Sequence, residues 1–290
     1  MNKFRIISIL VISLMLYSAK IGGLFQNNVC LHKIYADCPL GGEVMYAERS
    51  SKNVPVISEI RDSSRKISTK KRVQKIDDSE IFIIEEFPSV YFFKSGMQID
   101  ADGAPKAYHK DSSLGLDHLK NAGKKGNWWG IVTTNGKSGG IPAIQDSDDP
   151  APGYYVAGTS LQDGTKKDAD PDRYVDSAEV PYIALPSGMN FPVGTGDFGF
   201  VINTDNNMSS GCVFADIGPR GKIGEGSIAL AEAVGISNDP KGEGTESEFI
   251  YILFSDSSMG WPLTVNFINI HSKELFEKWG GMQRLKEVMY

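Results

Sequence analysis

Cysteine and histidine are scarce in this 290-residue chain, which contains only 3 Cys and 4 His. It has no CxxC motif, and its histidines are scattered, so the ligand spacing of a metal site is missing. Cys30 and Cys38 can pair in an oxidising compartment, whereas Cys212 is expected to be a small buried residue. The sequence therefore argues against a disulfide framework and implies neither a metal nor an organic cofactor.

Long apolar runs are also absent. The stretch from Ile6 to Tyr17 is almost wholly apolar and follows a basic start, but it is shorter than the roughly 20 residues that span a bilayer. We interpret residues 1–36 as an export signal, with an uncleaved signal anchor as the alternative. The expected location is secreted or extracellular, or membrane-anchored through this segment.

Basic residues are few in the larger part of the chain. Residues 1–75 carry 13 Lys and Arg against 5 Asp and Glu, which leaves 17 against 31, a net charge of −14, for residues 76–290. This balance excludes nucleic acid as an expected partner, because nucleic-acid binding requires basic stripes. An acidic surface attracts a cationic polymer at long range, although ordinary solubility accounts for the same charge.

The composition changes near residue 80. Residues 37–79 are rich in Ser, Lys, Arg and Asp and have little apolar periodicity, which predicts a basic, flexible linker. Residues 80–290 contain many short apolar runs separated by Gly-, Pro- and Asp-rich loops, the pattern of a mainly β domain. We predict a last strand at Val265 to Ile270 and a C-terminal helix from Lys273 to Met289.

Two carboxylates flank a glycine-rich turn between a predicted strand and a predicted helix. Asp216 follows the apolar run that begins at Val213, and Glu225 stands just before Ser227, where the helix begins. Hydrolysis of a glycosidic bond requires one protonated and one ionised carboxyl facing one cleft. Asp216 and Glu225 are therefore the candidate catalytic residues, although Asp and Glu are also ordinary turn residues.

The segment from Val213 to Ile236 resembles the most recognisable stretch of the fungal-type chitosanases, glycoside hydrolase family 75, whose catalytic Asp and Glu match Asp216 and Glu225. Upstream, Tyr91 to Gly103 is similar to the family's aromatic strand and acidic turn, with Ala101 where a Cys often stands.

Further matches bring the resemblance to about Phe87 to Gly281, some two thirds of the chain. They lie at Asp163, Pro171 to Asp176, Val180 to Pro186 and Gly260 to Pro262. The resemblance implies endo-acting cleavage of β-1,4-linked glucosamine in chitosan, a cationic polysaccharide, with inversion at the anomeric carbon. Cleavage of peptidoglycan or another wall polysaccharide by the same pair is one alternative, and a non-catalytic, expansin-like carbohydrate-binding module is another.

A second resemblance concerns the fold. The run from Ala215 to Pro219, followed by Ile223, Gly224 and a helix of small residues, is similar to rare lipoprotein A, the expansins and related double-psi β-barrels. It implies a small, six-stranded, double-psi-like barrel core with irregular loops and two short helices.

Five other residues are candidates for substrate binding. Asp100 and Asp102 are placed to bind sugar amines, although such residues also stabilise their own turns. Asp163 lies on a loop beside the predicted cleft, and Trp129 and Tyr155 can stack on sugar rings. Because adjacent strand residues point to opposite sides, only one of each aromatic pair, Trp128–Trp129 and Tyr154–Tyr155, can face the cleft.

The sequence leaves the roles of acid and base open. A helix N-terminus close to Glu225 favours its ionised form and hence a basic role. The higher intrinsic pKa of Glu argues for the opposite order.

Overall fold

The fold is given by a computed structural model that describes residues 69–289. Ten strands lie in this range: β1 (Lys70–Ile76), β2 (Ser79–Ile84), β3 (Phe87–Asp100), β4 (Gly123–Lys124), β5 (Asn127–Trp128), β6 (Tyr182–Pro186), β7 (Phe198–Asn203), β8 (Ser209–Gly218), β9 (Glu225–Ser227) and β10 (Thr245–Phe254). The helices of the same range are α1 (Ile228–Ala233), α2 (Val265–Trp279) and α3 (Gly281–Met289).

Six of these strands close into a barrel in the order β3, β10, β7, β8, β6, β9 and back to β3. Two pairings are parallel, β6 with β8 and β3 with β9, and the other four are antiparallel. The prediction of a mainly β fold with a six-stranded barrel core is therefore confirmed. The barrel is closed by the three-residue strand β9, whose first residue is Glu225.

The barrel strands are buried on both faces, which explains their apolar runs. Along β3, Tyr91 and Phe93 belong to one hydrophobic core, shared with α1, while Val90 and Phe92 belong to a second core against α2 and α3. Successive side chains of a strand alternate between faces, so a single run supplies both cores. Across the second core the rings of Phe92 and Trp279 lie 5.7 Å apart.

The predicted last strand at residues 265–270 is wrong, because these residues form the first part of helix α2. The Thr264 side chain accepts a hydrogen bond from the Phe267 backbone N–H and caps the helix. The buried residues Ile268, Ser272 and Phe276 are spaced by four, as one helix face requires. The β-branched and aromatic residues of this segment led to the prediction of a strand. The helix forms because Thr264 caps it and because its buried residues share one helix face. The predicted C-terminal helix is instead two helices, separated at Gly280.

The predicted boundary between linker and domain also lies too far toward the C-terminus. Strand β1 pairs with β2 along its whole length, so residues 70–79 belong to the sheet. The sequence did not indicate this strand, because β1 is mostly exposed and rich in charged residues. Of its apolar side chains, Ile76 is buried fully and Val73 in part. Residues 37–68 of the predicted linker, the predicted signal segment and the pair Cys30 and Cys38 lie outside the described residues. Between residues 69 and 289 no helix is both long and apolar enough to cross a bilayer.

Removing β1 is expected to destabilise the domain. A chain beginning at Thr69 should melt like the full-length protein, whereas one beginning at Asp77 loses the burial of Val73 and Ile76, worth about 3 kcal/mol. For a domain of this size that lowers the Tm by about 6–12 °C. Calorimetry of the two truncated chains measures the difference. Equal Tm values would show that β1 contributes nothing to stability.

Candidate active site

A cleft of about 750 Å³ opens beside the strands that carry the two candidate catalytic residues. Its lining includes Asp100, Asp102, Trp129, Asp216 and Glu225. Five of the seven residues singled out from the sequence are therefore brought together, although they are separated by up to 125 positions in the chain.

The spacing of Asp216 and Glu225 is set by the sheet. Ala184 of β6 pairs with Asp216 on one side and with Glu225 on the other. The two Cα atoms are thus two strand spacings apart, about 9.5 Å. Both residues occupy the same level of the sheet and line one cleft, and the residue between them carries only a methyl group.

The short strand β9 is fixed at both of its ends. Before it, the Ser95 hydroxyl donates to the carbonyl of Ile223 at 3.1 Å. Gly224 has φ +92°, and a Cβ there would lie 2.5 Å from the carbonyl oxygen of Gly96, so a larger residue would push β9 away from β3. After it, the Ser227 hydroxyl accepts from the Leu230 backbone N–H and donates to the carbonyl of Val180. Glu225 is therefore held by the backbone on both sides.

Asp216 accepts two hydrogen bonds from one residue. The backbone N–H and the hydroxyl of Ser160 both donate to Asp216 Oδ1 at 2.8 Å. The same hydroxyl accepts from the Ile217 backbone N–H at 3.2 Å. Burial raises the pKa of Asp216 above its usual value, while the Ser160 donors and the Ile217 N–H oppose this rise. The Ser160 and Ile217 donors thus favour the ionised form of Asp216, whereas burial favours the protonated form.

Glu225 has a different environment. Burial raises its pKa to about 7, the negative charge of Asp216 adds to the rise, and Lys222 opposes it. The carboxyl therefore holds a proton up to about neutral pH. Ser227, two residues further on, is the residue that caps the helix, and α1 has only six residues. The expected effect of a helix N-terminus on Glu225 is thus outweighed by burial and by Asp216.

Asp100 and Asp102 lie at the bottom of the cleft, at the end of β3. Asp100 is buried and accepts a hydrogen bond from the Asp102 backbone N–H at 2.8 Å. Asp102 accepts one from the Tyr108 hydroxyl at 2.6 Å. Burial raises the pKa of both carboxyls, with further increases from Glu225 and Asp216 at Asp100 and from Asp100 at Asp102. Asp100 thus stabilises its own turn, as one interpretation of the sequence predicted. Both residues line the cleft, and their binding of sugar amines stays a prediction.

Trp129 is the aromatic residue of the cleft. Its side chain is 64% exposed, and the indole N–H donates to the carbonyl of Asn121 at 2.7 Å, which fixes the ring. Trp128, its neighbour, is buried. The predicted division of this pair between cleft and core is therefore confirmed.

Tyr155 and Asp163 do not line this cleft, which corrects the predictions for both. Tyr155 packs against the core, with its ring 6.4 Å from that of Trp128. Asp163 accepts hydrogen bonds from the backbone N–H and the hydroxyl of Thr165, which lower its pKa. Its carboxylate stabilises its own loop, as Asp commonly does in turns.

Several residues of the cleft were not identified from the sequence. Ser160 is 56 positions from Asp216, and nothing in the local sequence marks that contact. Asp117 is buried and accepts hydrogen bonds from the His118 backbone N–H and the Asn121 side chain. Its negative charge contributes to the raised pKa of Glu225. The burial of Asp117 results from tertiary packing, which the local sequence does not indicate.

Within residues 69–289, no three His, Cys, Asp or Glu side chains are arranged to hold a metal ion. The sequence was also compared with models of known protein families and with curated proteins, and neither comparison produced a match.

Proposed function

We propose that the protein is an endo-acting, inverting glycoside hydrolase that cleaves β-1,4-glucosamine linkages in chitosan. The observation that carries this proposal is the pair Asp216 and Glu225, which share one cleft and one level of the sheet. Two hydrogen-bond donors of Ser160 stabilise the ionised form of Asp216, whereas burial and the charge of Asp216 raise the pKa of Glu225 to about 7. Acid–base cleavage of a glycosidic bond requires one carboxyl of each kind. The proposed location is outside the cell, by secretion or on a membrane anchor.

In the proposed reaction Glu225 is the general acid and Asp216 the general base. Glu225 keeps its proton to about pH 7 and donates it to the leaving glycosidic oxygen. Asp216, whose ionised form is stabilised by the two Ser160 donors, removes a proton from a water that attacks the opposite face of the sugar. An inverting enzyme needs room for that water between its carboxyls, and the Cα separation of two strand spacings supports this.

The cleft also suits a cationic sugar polymer. Asp100, Asp102 and Asp117 place three further carboxyl groups close to the catalytic pair, and Trp129 offers an exposed aromatic face. A substrate ammonium entering the cleft favours the ionised form of these buried carboxyls, since an opposite charge lowers a raised pKa. The apolar face of a pyranose can stack on the indole ring.

Release of new reducing ends from soluble chitosan, followed by NMR of the first anomer formed, tests this function. We expect rapid loss of chain length and initial formation of the α-anomer. Reducing ends from purified cell wall but not from chitosan would favour a wall-cleaving enzyme. Binding without any release of reducing ends would identify a binding module.

The rate should depend on pH in a bell-shaped manner. The acidic limb reports ionisation of Asp216 and lies above the usual range for Asp, because its pKa is raised. The alkaline limb falls near pH 7, where Glu225 loses the proton it must donate. Measuring kcat at saturating substrate removes the titration of the free substrate's amines and reports the two limbs in the enzyme–substrate complex. Full activity well above this limb, at about pH 9, would contradict the role of Glu225 as acid.

Ser160→Ala should move only one of these limbs. The substitution removes the hydroxyl donor from Asp216, so the pKa of Asp216 rises and the acidic limb shifts upwards by about one pH unit. The alkaline limb should stay in place, and turnover at the optimum should fall about 10-fold. Ser147→Ala, on an exposed loop, is the matched control. A shift of both limbs together would show that Ser160 acts on the whole site and not through Asp216.

A further inference from the structure

A second cavity, of about 680 Å³, adjoins the catalytic cleft. The two cavities share Gln98, Lys222, Glu225 and Glu243 in their linings. These shared residues place Glu225 where the two cavities adjoin, and we call the two cavities together the groove. The candidate acid thus lies within the groove and not at its end.

The far wall of the second cavity is built outside the barrel. It contains Asp77 and Asp78, which form the turn between β1 and β2, and Ser79, the first residue of β2. We call these three residues the hairpin arm. The opposite wall is formed by β3 around Gly96. The Asp78 side chain is fully exposed, and Asp77 turns the chain with φ 52°. The sheet extension that was interpreted as linker therefore contributes to the groove.

The charges of this region are mainly negative. Of the two lysines that line the cavity, Lys94 pairs with Glu248 at 2.7 Å, which leaves Lys222 against Asp77, Asp78 and Glu243. Asp78 also lies 3.7 Å from Lys75. Lys75 offsets the charge of Asp78, which leaves Asp77 and Glu243 against Lys222. A cationic group in the cavity meets a net negative potential.

We propose that the hairpin arm forms a subsite for the same cationic polymer, holding a glucosamine unit on the opposite side of Glu225 from Trp129. This inference rests on the proposed function, since it assigns a second part of the groove to the same substrate. A chain that occupies both parts lies across the catalytic pair, which places the cleavage inside the polymer. Short oligomers that fill only the catalytic cleft do not reach the arm.

The test compares two pairs of substitutions with equal change in charge. D77N together with D78N neutralises the arm, and Asn tolerates the positive φ of Asp77, so the turn is kept. E85Q together with E86Q is the control, because these exposed residues lie at the other end of β2, about 17 Å away. Hydrolysis is measured at low salt on chitosan and on glucosamine oligomers of defined length.

For the arm variant we expect KM on chitosan and long oligomers to rise about 5-fold, with kcat within about 2-fold of wild type. KM on the shortest oligomers cleaved should be unchanged, and the cleavage position in a long oligomer should shift. The control pair should behave as wild type. Equal changes at every oligomer length, or in both pairs, would mean that the arm attracts substrate only by general electrostatics and would overturn the subsite.

The outcome also separates this inference from the proposed function. If wild type releases no reducing ends from chitosan, the proposed function fails. If wild type cleaves chitosan and the arm variant retains its KM and cleavage pattern, the subsite alone fails.

Discussion

Asp216→Asn and Glu225→Gln are each expected to lower kcat on chitosan by at least about 100-fold. Neither replacement changes side-chain size appreciably, but each removes the group that takes up or donates the proton. The amide introduced at position 216 keeps one acceptor oxygen, to which the backbone N–H and the hydroxyl of Ser160 can still donate, so the local geometry is preserved. Initial rates of reducing-end release measure the effect.

Asp163→Asn is the matched control, because Asp163 lies in the family-like segment but outside the cleft. It should retain near-wild-type kcat. If either catalytic variant also does so, that residue has no part in the chemistry.

Stability distinguishes lost chemistry from a lost fold. The folded pKa of Glu225, about 7, lies above that of an unfolded Glu, so its contribution to stability is present below the unfolded pKa and is lost as the pH rises to 7. At about pH 8 wild type carries a buried charge that Glu225→Gln lacks. The inactive variant should therefore have the higher Tm at that pH. If Glu225→Gln has a lower Tm than wild type at that pH, its loss of activity reflects a damaged fold and not lost chemistry.

Gly103→Ala is expected to destabilise the protein by about 3–4 kcal/mol and to abolish activity. Gly103 has φ +82°, and a Cβ there would lie 2.0 Å from the carbonyl oxygen of Val175. The position of a Cβ atom is fixed by the backbone, and the Val175 oxygen is itself a backbone atom. A rotamer change therefore cannot relieve the clash. The turn that holds Asp100 and Asp102 must move instead. Thermal unfolding followed by near-UV circular dichroism measures the loss.

Gly126→Ala separates the clash from the backbone strain. Gly126 has φ +87°, almost the same as Gly103, but nothing lies within 4 Å of its added Cβ. Its replacement should cost only about 1 kcal/mol and leave kcat unchanged. If the two variants are equally unstable, the close approach to Val175 is not what requires glycine at position 103.

The catalytic candidates could be found from the sequence because their signal is local. Asp216 and Glu225 lie at the two ends of one turn, and the residues between them carry the resemblance. The six-stranded barrel followed from the same segment. Asp100 and Asp102 were selected because the strand and turn from Tyr91 to Gly103 carry the upstream part of the same resemblance.

What could not be predicted depends on distant contacts. Ser160 reaches Asp216 across 56 positions, and the hairpin arm reaches the groove only because β2 pairs with β3. Tyr155 has the same composition signal as Trp129, but tertiary packing turns its ring to the core. Strand β1 was missed because a largely exposed strand buries too few residues to leave an apolar pattern.

The pairing of Ala184 with both Asp216 and Glu225 has a consequence for divergence and redesign. The distance between the two carboxylate residues is fixed by main-chain hydrogen bonds between neighbouring strands, which every residue but proline can form. The loops that border the groove take no part in setting it. Loops other than the one that carries Ser160 can accordingly be exchanged or lengthened to accept a different ligand while the spacing of Asp216 and Glu225 is kept.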